Sequence, residues 1–349
     1  MINESETSVV EFSQRKKDHI EISLREDSQS LNDQFSKIQL LHNPLPEIDI
    51  EEVSLKTQFA NQTLNSPLFI SSMTLGHKDA AHLNETLVGA AEEMGWMVGV
   101  GSQRRQLFDP EAAKECQNLK QKFPQATVFG NIGLAQLIHT SPKEIQKLVD
   151  SLGAAFMVVH TNPLQEAIQG EGTPQFKGGL NALKTLCEEL SVPVVLKETG
   201  SGFSQKSLES LKSIPLAAVD LSGKGGTHWG RVETRRFSPN QMEFHVGQSF
   251  DDWGISTVDS LKNALKAQLD CPVWGSGGVR NGVQAAKLLA AGASMVGFAQ
   301  PMLKAALAGK SELLKTMKVF EQELKIAMFC MGVKDINQLV GNGDVHKWM

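Results

Sequence analysis

Four groups of residues in this chain have the types and spacing to do chemistry. The first is Ser276-Gly277-Gly278-Val279-Arg280. Adjacent glycines let backbone N–H groups approach an anion, and a following helix adds its positive N-terminal end. A tight strand-to-helix turn also calls for glycine, so the motif gains force only from its place in a fold. The second is Lys197, inside the apolar run Pro193-Val194-Val195-Leu196-Lys197-Glu198. A lysine there points into a polar mouth or pairs with a carboxylate, because a buried unpaired ammonium is costly. It suits a hydrogen bond to a cofactor ring, a Schiff base, or a structural pair with Glu198. The third is His160-Thr161-Asn162-Pro163-Leu164-Gln165-Glu166. One carboxylate among neutral oxygens suits Mg²⁺, which keeps waters and shares substrate phosphates. A solvent-facing Glu166 and a rim histidine satisfied by its neighbours are the plain alternatives. The fourth, Arg15-Lys16-Lys17-Asp18-His19-Ile20, is a basic cluster beside an apolar stretch. Such runs are commonly solvated faces, and a diphosphate would give Arg15 and Lys16 a further reason.

The elements that must position these groups are eight short apolar runs: Pro67–Ser72, Met97–Gly101, Ala126–Asn131, Ala154–His160, Pro193–Glu198, Leu216–Leu221, Pro272–Ser276 and Ala293–Ala299. Each has strand length and reads as nearly continuous hydrophobic, as strands buried on both faces do. Helical patterns separate most of them, over Asp79–Met94, Pro110–Lys122, Pro142–Leu152, Gly179–Leu190, Ser204–Ser213, Thr257–Leu269 and Gly282–Ala291. Ser141-Pro142 and Asp109-Pro110 place proline in a first turn behind a capping side chain. Eight strand–helix alternations predict an α/β fold, a (β/α)8 TIM barrel with an N-terminal arm and a C-terminal helical segment. The expected divisions are an arm and barrel-capping segment over 1–66, the barrel over 67–330 and a tail over 331–349. Residues 222–256 make one long excursion after the sixth strand, and loops of that length are usually functional. In such barrels the active site lies at the C-terminal ends of the strands, with phosphate often bound after strands seven and eight. The polar residues fall there: Ser71-Ser72-Met73-Thr74, Ser102-Gln103-Arg104, Asn131, His160, Lys197, Ser222 with Thr227, Ser276–Arg280, and Ala299-Gln300.

Composition narrows the function classes. A net charge of -5 and a pI near 6.0 give no footprint for nucleic acid or an anionic membrane. Four cysteines without a CxxC pair make neither a disulfide framework nor a zinc pattern. The N-terminus lacks the apolar core of a signal peptide, and no apolar run approaches the ~20 residues that span a bilayer. A soluble, cytoplasmic protein is the expectation. GxxxxGK[ST], HExxH and GxSxG are absent, and so is any tyrosine.

Several segments, in order along the chain, resemble the signature set of type 2 isopentenyl-diphosphate isomerases. They are Arg15–Glu21, Ser71–Thr74, Gly101–Arg104, His160-Thr161-Asn162-Pro163-Leu164-Gln165-Glu166-Ala167, Lys197-Glu198-Thr199-Gly200 and Ser276–Arg280. The resemblance implies an enzyme that interconverts isopentenyl and dimethylallyl diphosphate without net redox change. It implies reduced FMN, Mg²⁺, and NADPH as reductant, with the flavin N5 moving the proton and Lys197 favouring the anionic reduced ring. Carried over residue by residue, Met73, Thr74, Ser102, Asn131, Lys197, Ser222, Thr227, Gly278, Arg280, Ala299 and Gln300 contact FMN. Arg15, Lys16, His19, Ser102, Arg104, His160, Asn162 and Gln165 hold the small-molecule diphosphate, and Glu166 ligates the metal. A homo-tetramer or homo-octamer is implied, with no nucleic-acid or membrane partner. One loop departs from the pattern: Gly170-Glu171-Gly172-Thr173 stands where the family commonly reads Pro-Glu-Gly-Asp, losing a rigid residue and a carboxylate.

Two other readings share these features. An FMN-dependent 2-hydroxy-acid oxidase or dehydrogenase has the same barrel and phosphate loop. Those enzymes typically use an active-site tyrosine and a His-Gly-Gly-Arg run, and this chain has neither. A non-catalytic flavin- or phosphate-binding protein would need neither the polar rim nor the basic arm.

Overall fold

The structure is a computed structural model that describes residues 9–30, 33–73 and 80–349. Eight parallel strands close into one barrel. They are β1 (Leu68–Ile70), β2 (Met97–Gly99), β3 (Thr127–Gly133), β4 (Met157–Thr161), β5 (Val194–Glu198), β6 (Ala218–Asp220), β7 (Val273–Gly275) and β8 (Met295–Phe298). β8 pairs with β1 through Val296 opposite Leu68, which seals the barrel. Each strand falls on one of the eight apolar runs, and the expected (β/α)8 barrel is the fold.

Strand alternation explains both the core and the site. Successive side chains point to opposite faces. Phe69, Met97, Phe129, Phe156, Val158, Val195, Ala218, Trp274 and Met295 form one apolar cluster inside the barrel. Val128, Val159, Val194, Leu196, Val219 and Val296 belong to the cluster between strands and helices. Two residues beyond the inner layer, the same inward direction yields Ser71, Asn131, His160, Lys197, Asp220 and Ser276. An apolar floor thus carries a polar mouth. Gly99 and Gly297 take that position on β2 and β8, where a Cβ would run into Phe129 and Phe69.

The floor is stacked aromatic rings. Phe129 and Phe156 lie 4.6 Å apart at 17°, and Phe59 meets Trp274 at 4.7 Å. Phe59 comes from a hairpin, Thr57–Phe59 with Gln62–Leu64, that plugs the N-terminal end of the barrel. Its two-residue turn has positive φ at both Ala60 and Asn61, the pattern that matches the twist of paired strands.

The helices follow the expected pattern. Ser141 and Glu144 make a capping box at Pro142–Leu152, and Asp109 caps Pro110–Lys122. The segment read as a helix over Ser204–Ser213 is helical only over Gln205–Glu209. Ser210 Oγ turns back onto the Ser207 carbonyl, and Ile214-Pro215 disfavours further helix. After β8 come Gln300–Leu307 and the 22-residue Lys310–Met331. The chain then returns as a strand, His346–Trp348, antiparallel to Ile38–Leu40. Before the barrel, Val9–Ser23 is a helix. Among the described residues no helix is long and apolar enough to cross a membrane.

The excursion after β6 is compact. It holds the helices Trp229–Thr234 and Met242–Gln248. Its base is tied where Lys224 N donates to Ile255 O at 2.8 Å. Buried His228 locks the middle: Nε2 lies 2.9 Å from Trp253 O, while Nδ1 accepts from Arg231 N at 3.1 Å.

Candidate active site

Two cavities open at the barrel mouth, of about 990 Å³ and about 760 Å³. Lys16, His19, Ser72, Met73, Lys197, Thr199 and Trp229 line both, so the cavities share a wall.

The larger cavity holds most of the residues expected to contact a flavin. Met73, Lys197, Ser222, Thr227, Gly278, Arg280, Ala299 and Gln300 all line it. Ser102 and Asn131 do not; they line the smaller cavity. Thr74 lies outside the described residues. At one end the loops after β6 and β7 face each other. Gly277 and Gly278 have φ of +96° and +80°. A Cβ on Gly278 would collide with Gly225 O, and one on Gly226 would sit 2.8 Å from Gly278 N. Only glycine lets the two backbones come this close. Arg280 stands beside them. Its partners are the amide oxygens of Gln300 at 3.2 Å and Gln29 at 3.4 Å, and burial pushes its pKa down. A half-buried guanidinium served only by neutral oxygens is suited to an anion. The hydroxyls of Ser71, Ser72 and Thr199 are buried, lack hydrogen-bond partners and line the same cavity. A phosphate end, a cationic side chain and unused polar groups along an apolar wall fit a phosphorylated flavin.

Lys197 reaches the shared wall from β5. Its ammonium lies 3.4 Å from Asp220 Oδ2 on the neighbouring strand and donates to Glu198 O at 3.0 Å. Asp220 Oδ1 accepts from Ser276 Oγ at 2.7 Å. The structural pair for Lys197 is therefore Asp220, while the Glu198 side chain points outward. The Glu198 carboxylate accepts from Ser201 N at 2.5 Å and Gly202 N at 2.7 Å. Burial outweighs those bonds and the nearby Lys197, and pushes its pKa up to about 8.

The smaller cavity gathers all the residues expected to hold the diphosphate: Arg15, Lys16, His19, Ser102, Arg104, His160, Asn162 and Gln165, with Glu166 beside them. Gln103 fixes the turn that carries Ser102 and Arg104. It is fully buried, accepts from Asn131 N at 3.0 Å and donates to Leu148 O at 3.0 Å. His160 Nδ1 lies 2.7 Å from Asn131 Oδ1 and acts as the donor there, leaving Nε2 as an acceptor. Burial, with Lys16, Lys197 and Arg104 nearby, pushes its pKa down to about 3, so the ring is neutral. Burial raises the pKa of Glu166, opposed by the Thr173 N–H at 2.7 Å and the Asn162 amide at 3.4 Å. Asn162 Oδ1 is buried without a partner. Among the described residues no group of three His, Cys, Asp or Glu is placed to hold a metal. One carboxylate with an unused amide oxygen fits a cation that takes its remaining ligands from water and phosphate.

Residues that no sequence pattern pointed to complete the site. Glu233, from the excursion, is fully buried at its far edge. Its carboxylate meets His19 Nε2 at 2.8 Å, Gln165 Nε2 at 2.8 Å and Arg236 Nη1 at 2.7 Å. Burial opposes its ionisation, but His19 and Arg236 outweigh that and hold it down at about 2. Burial also lowers the His19 pKa. Trp229 packs edge-on against His19, with centroids 5.3 Å apart, and offers an aromatic face to both cavities. Arg236 spans Glu233 and, at 2.7 Å, Glu171 of the departing loop. Glu171 in turn lies 3.8 Å from Arg15.

A barrel whose mouth joins an anion cradle to a cationic cavity is the frame of a flavin-dependent enzyme, and the FMN-dependent dehydrogenase profile matches residues 139–345. The chain belongs to the isopentenyl-diphosphate delta-isomerase family. It is 46% identical over 330 residues to the isopentenyl-diphosphate delta-isomerase of Legionella pneumophila (strain Corby), covering 94% of this chain and 96% of that one. The same name is carried by relatives from Bdellovibrio bacteriovorus, 46% identical over 94% of this chain and 96% of that one, and Methanococcoides burtonii, 39% identical over 94% and 90%. Among solved structures, (S)-mandelate dehydrogenase superposes over the full length of both chains, with a TM-score of 0.68 and 15% identity. That likeness shows the fold alone.

Proposed function

We propose that this enzyme interconverts isopentenyl and dimethylallyl diphosphate, with FMN in the larger cavity and the diphosphate with Mg²⁺ in the smaller. The observation that carries the reading is the shared wall. It sets a flavin-sized space with a phosphate cradle against a space lined by Arg15, Lys16, Arg104 and His19. Reduced FMN, once bound, supplies acid–base chemistry at the alkene. The chain's own part is to bind and orient. Arg15, Lys16 and Arg104 anchor the diphosphate, and that remote binding energy holds the alkene against the wall. Glu166 and Asn162 Oδ1 hold the cation, and NADPH serves as the reductant. Trp229 and Met73 exclude water from the reacting carbons. Lys197, tied to Asp220, stands where negative charge on a reduced ring would be compensated. Oxidation of 2-hydroxy acids is the weaker reading, because the chain contains no tyrosine. The test is an anaerobic isomerase assay with FMN, Mg²⁺ and dithionite or NADPH. Conversion that requires the reductant supports the reading. Conversion that ignores the flavin's redox state, or a purified protein that takes up no FMN, sinks it.

A further inference from the structure

The N-terminal arm and the phosphate end of the larger cavity meet at one side chain, Gln29. It is buried and lines that cavity. Its amide nitrogen donates to Ser23 O at 2.7 Å, at the last residue of the Val9–Ser23 helix, and to Thr227 Oγ1 at 3.2 Å. Its amide oxygen accepts from Arg280 Nη2 at 3.4 Å. The main chain reinforces the joint. Gln29 bridges Thr227, Ser30 N donates to Gly226 O at 2.7 Å, and Gln29 O accepts from Arg231 Nη1 at 2.7 Å. One amide therefore links the end of the helix that carries Arg15, Lys16 and His19 to two residues of the anion cradle.

We propose that Gln29 couples occupancy of the phosphate end of the cofactor cavity to docking of the arm, so that cofactor loading sets the substrate-binding residues in place. The proposal rests on the flavin reading above. A phosphate between Gly278 and Arg280 fixes the guanidinium and Thr227 Oγ1, and these fix the Gln29 amide. The amide then holds Ser23 O, and with it the end of the helix. Coupling of this kind is reciprocal: whatever the cofactor contributes to docking, docking returns to cofactor affinity.

The experiment follows tryptic cleavage at Arg15, Lys16, Lys17 and Arg25 alongside FMN affinity, read by quenching of flavin fluorescence in protein stripped of cofactor. In the wild-type chain, FMN should slow cleavage of this segment several-fold, and saturating riboflavin, which lacks the phosphate, should not. Gln29→Met keeps the side chain's length but loses the amide. It should weaken FMN binding about tenfold, as for a hydrogen bond to a charged group, and cleavage of the arm should no longer respond to saturating FMN. Riboflavin protecting as fully as FMN would overturn the phosphate link without any variant. An unchanged FMN affinity in Gln29→Met, or full protection of its arm by FMN, would overturn the role of Gln29. A wild-type chain that bound no FMN would instead remove the flavin reading on which the proposal stands.

Discussion

Lys197 and Asp220 face each other in register across β5 and β6, with Nζ 3.4 Å from Oδ2 and both side chains buried. A pair this deep is expensive to break from one side, because the remaining charge is left in the barrel mouth. Lys197→Met should destabilise the protein by about 3–5 kcal/mol in urea unfolding. Lys197→Met with Asp220→Asn removes both charges and should recover much of the loss, giving a coupling energy above ~1 kcal/mol in the double-mutant cycle. Additive losses would mean that the two charges do not interact.

His160 makes the protein less stable in acid. Its folded pKa, near 3, is below the ordinary 6.5. Between those values the unfolded chain binds the proton and the folded one does not, so this contribution is complete above pH 6.5 and is lost as pH falls. His160→Gln, which can still donate to Asn131 Oδ1, should show a shallower decline in thermal midpoint from pH 6.5 to 4. A decline as steep as the wild type's would place the acid sensitivity elsewhere.

Glu198 acts in the opposite direction. Its folded pKa, about 8, is above the ordinary 4.5. In that window the folded state holds a proton that the unfolded chain has released. Its contribution is therefore full below pH 4.5 and is lost as pH rises towards 8. Glu198→Gln should flatten the stability profile between pH 5 and 8. The Ser201 and Gly202 N–H groups, which both donate to Glu198 Oε2, can keep the Gln carbonyl oxygen as their shared acceptor, so the local cost should be small. An unchanged slope across that range would show that Glu198 is ionised in the fold.

The barrel and much of its mouth were legible because one rule runs through both. An inward apolar residue on a buried strand is followed two positions later by an inward residue at the rim, as in Val158 and His160 or Val195 and Lys197. The strand runs therefore located the polar positions as well as the fold. The partner of Lys197 was missed because Asp220 reads as the polar end of an apolar run, and only strand pairing sets it beside the ammonium. Glu233, Trp229 and Gln29 come from the excursion and the arm. No local periodicity says where those segments dock, so their roles appear only once they pack on the rim.

Among the described residues Glu166 is the one carboxylate lining the smaller cavity, and the Thr173 N–H and the Asn162 amide donate to it. Glu166→Gln keeps the shape but removes the charge. If Glu166 holds Mg²⁺, the metal concentration for half-maximal activity should rise at least tenfold, while FMN uptake, at the other cavity, stays as in the wild type. Isothermal titration with Mg²⁺ and the diphosphate gives the same answer without turnover. A superimposable Mg²⁺ titration would strike Glu166 from the metal site.

Glu233 tests whether the excursion belongs to the site or only covers it. Its Oε1 accepts from Gln165 and lies 2.8 Å from His19 Nε2, and its Oε2 accepts from Arg236. In Glu233→Gln one acceptor oxygen remains; the charged Arg236 keeps it, and the new amide nitrogen faces His19 and Gln165. Removing one side of a buried charge pair costs about 3–5 kcal/mol, so the variant's thermal midpoint should fall. The sharper readout is substrate binding. With Gln165 and His19 no longer held, KM for the diphosphate should rise by about one to two orders of magnitude, the usual loss when a hydrogen bond to a charged group goes. FMN affinity should change less, because Glu233 and Gln165 do not line the larger cavity and His19 alone of the three does. A variant that loses stability but keeps the wild-type KM would make Glu233 a strut of the excursion and nothing more.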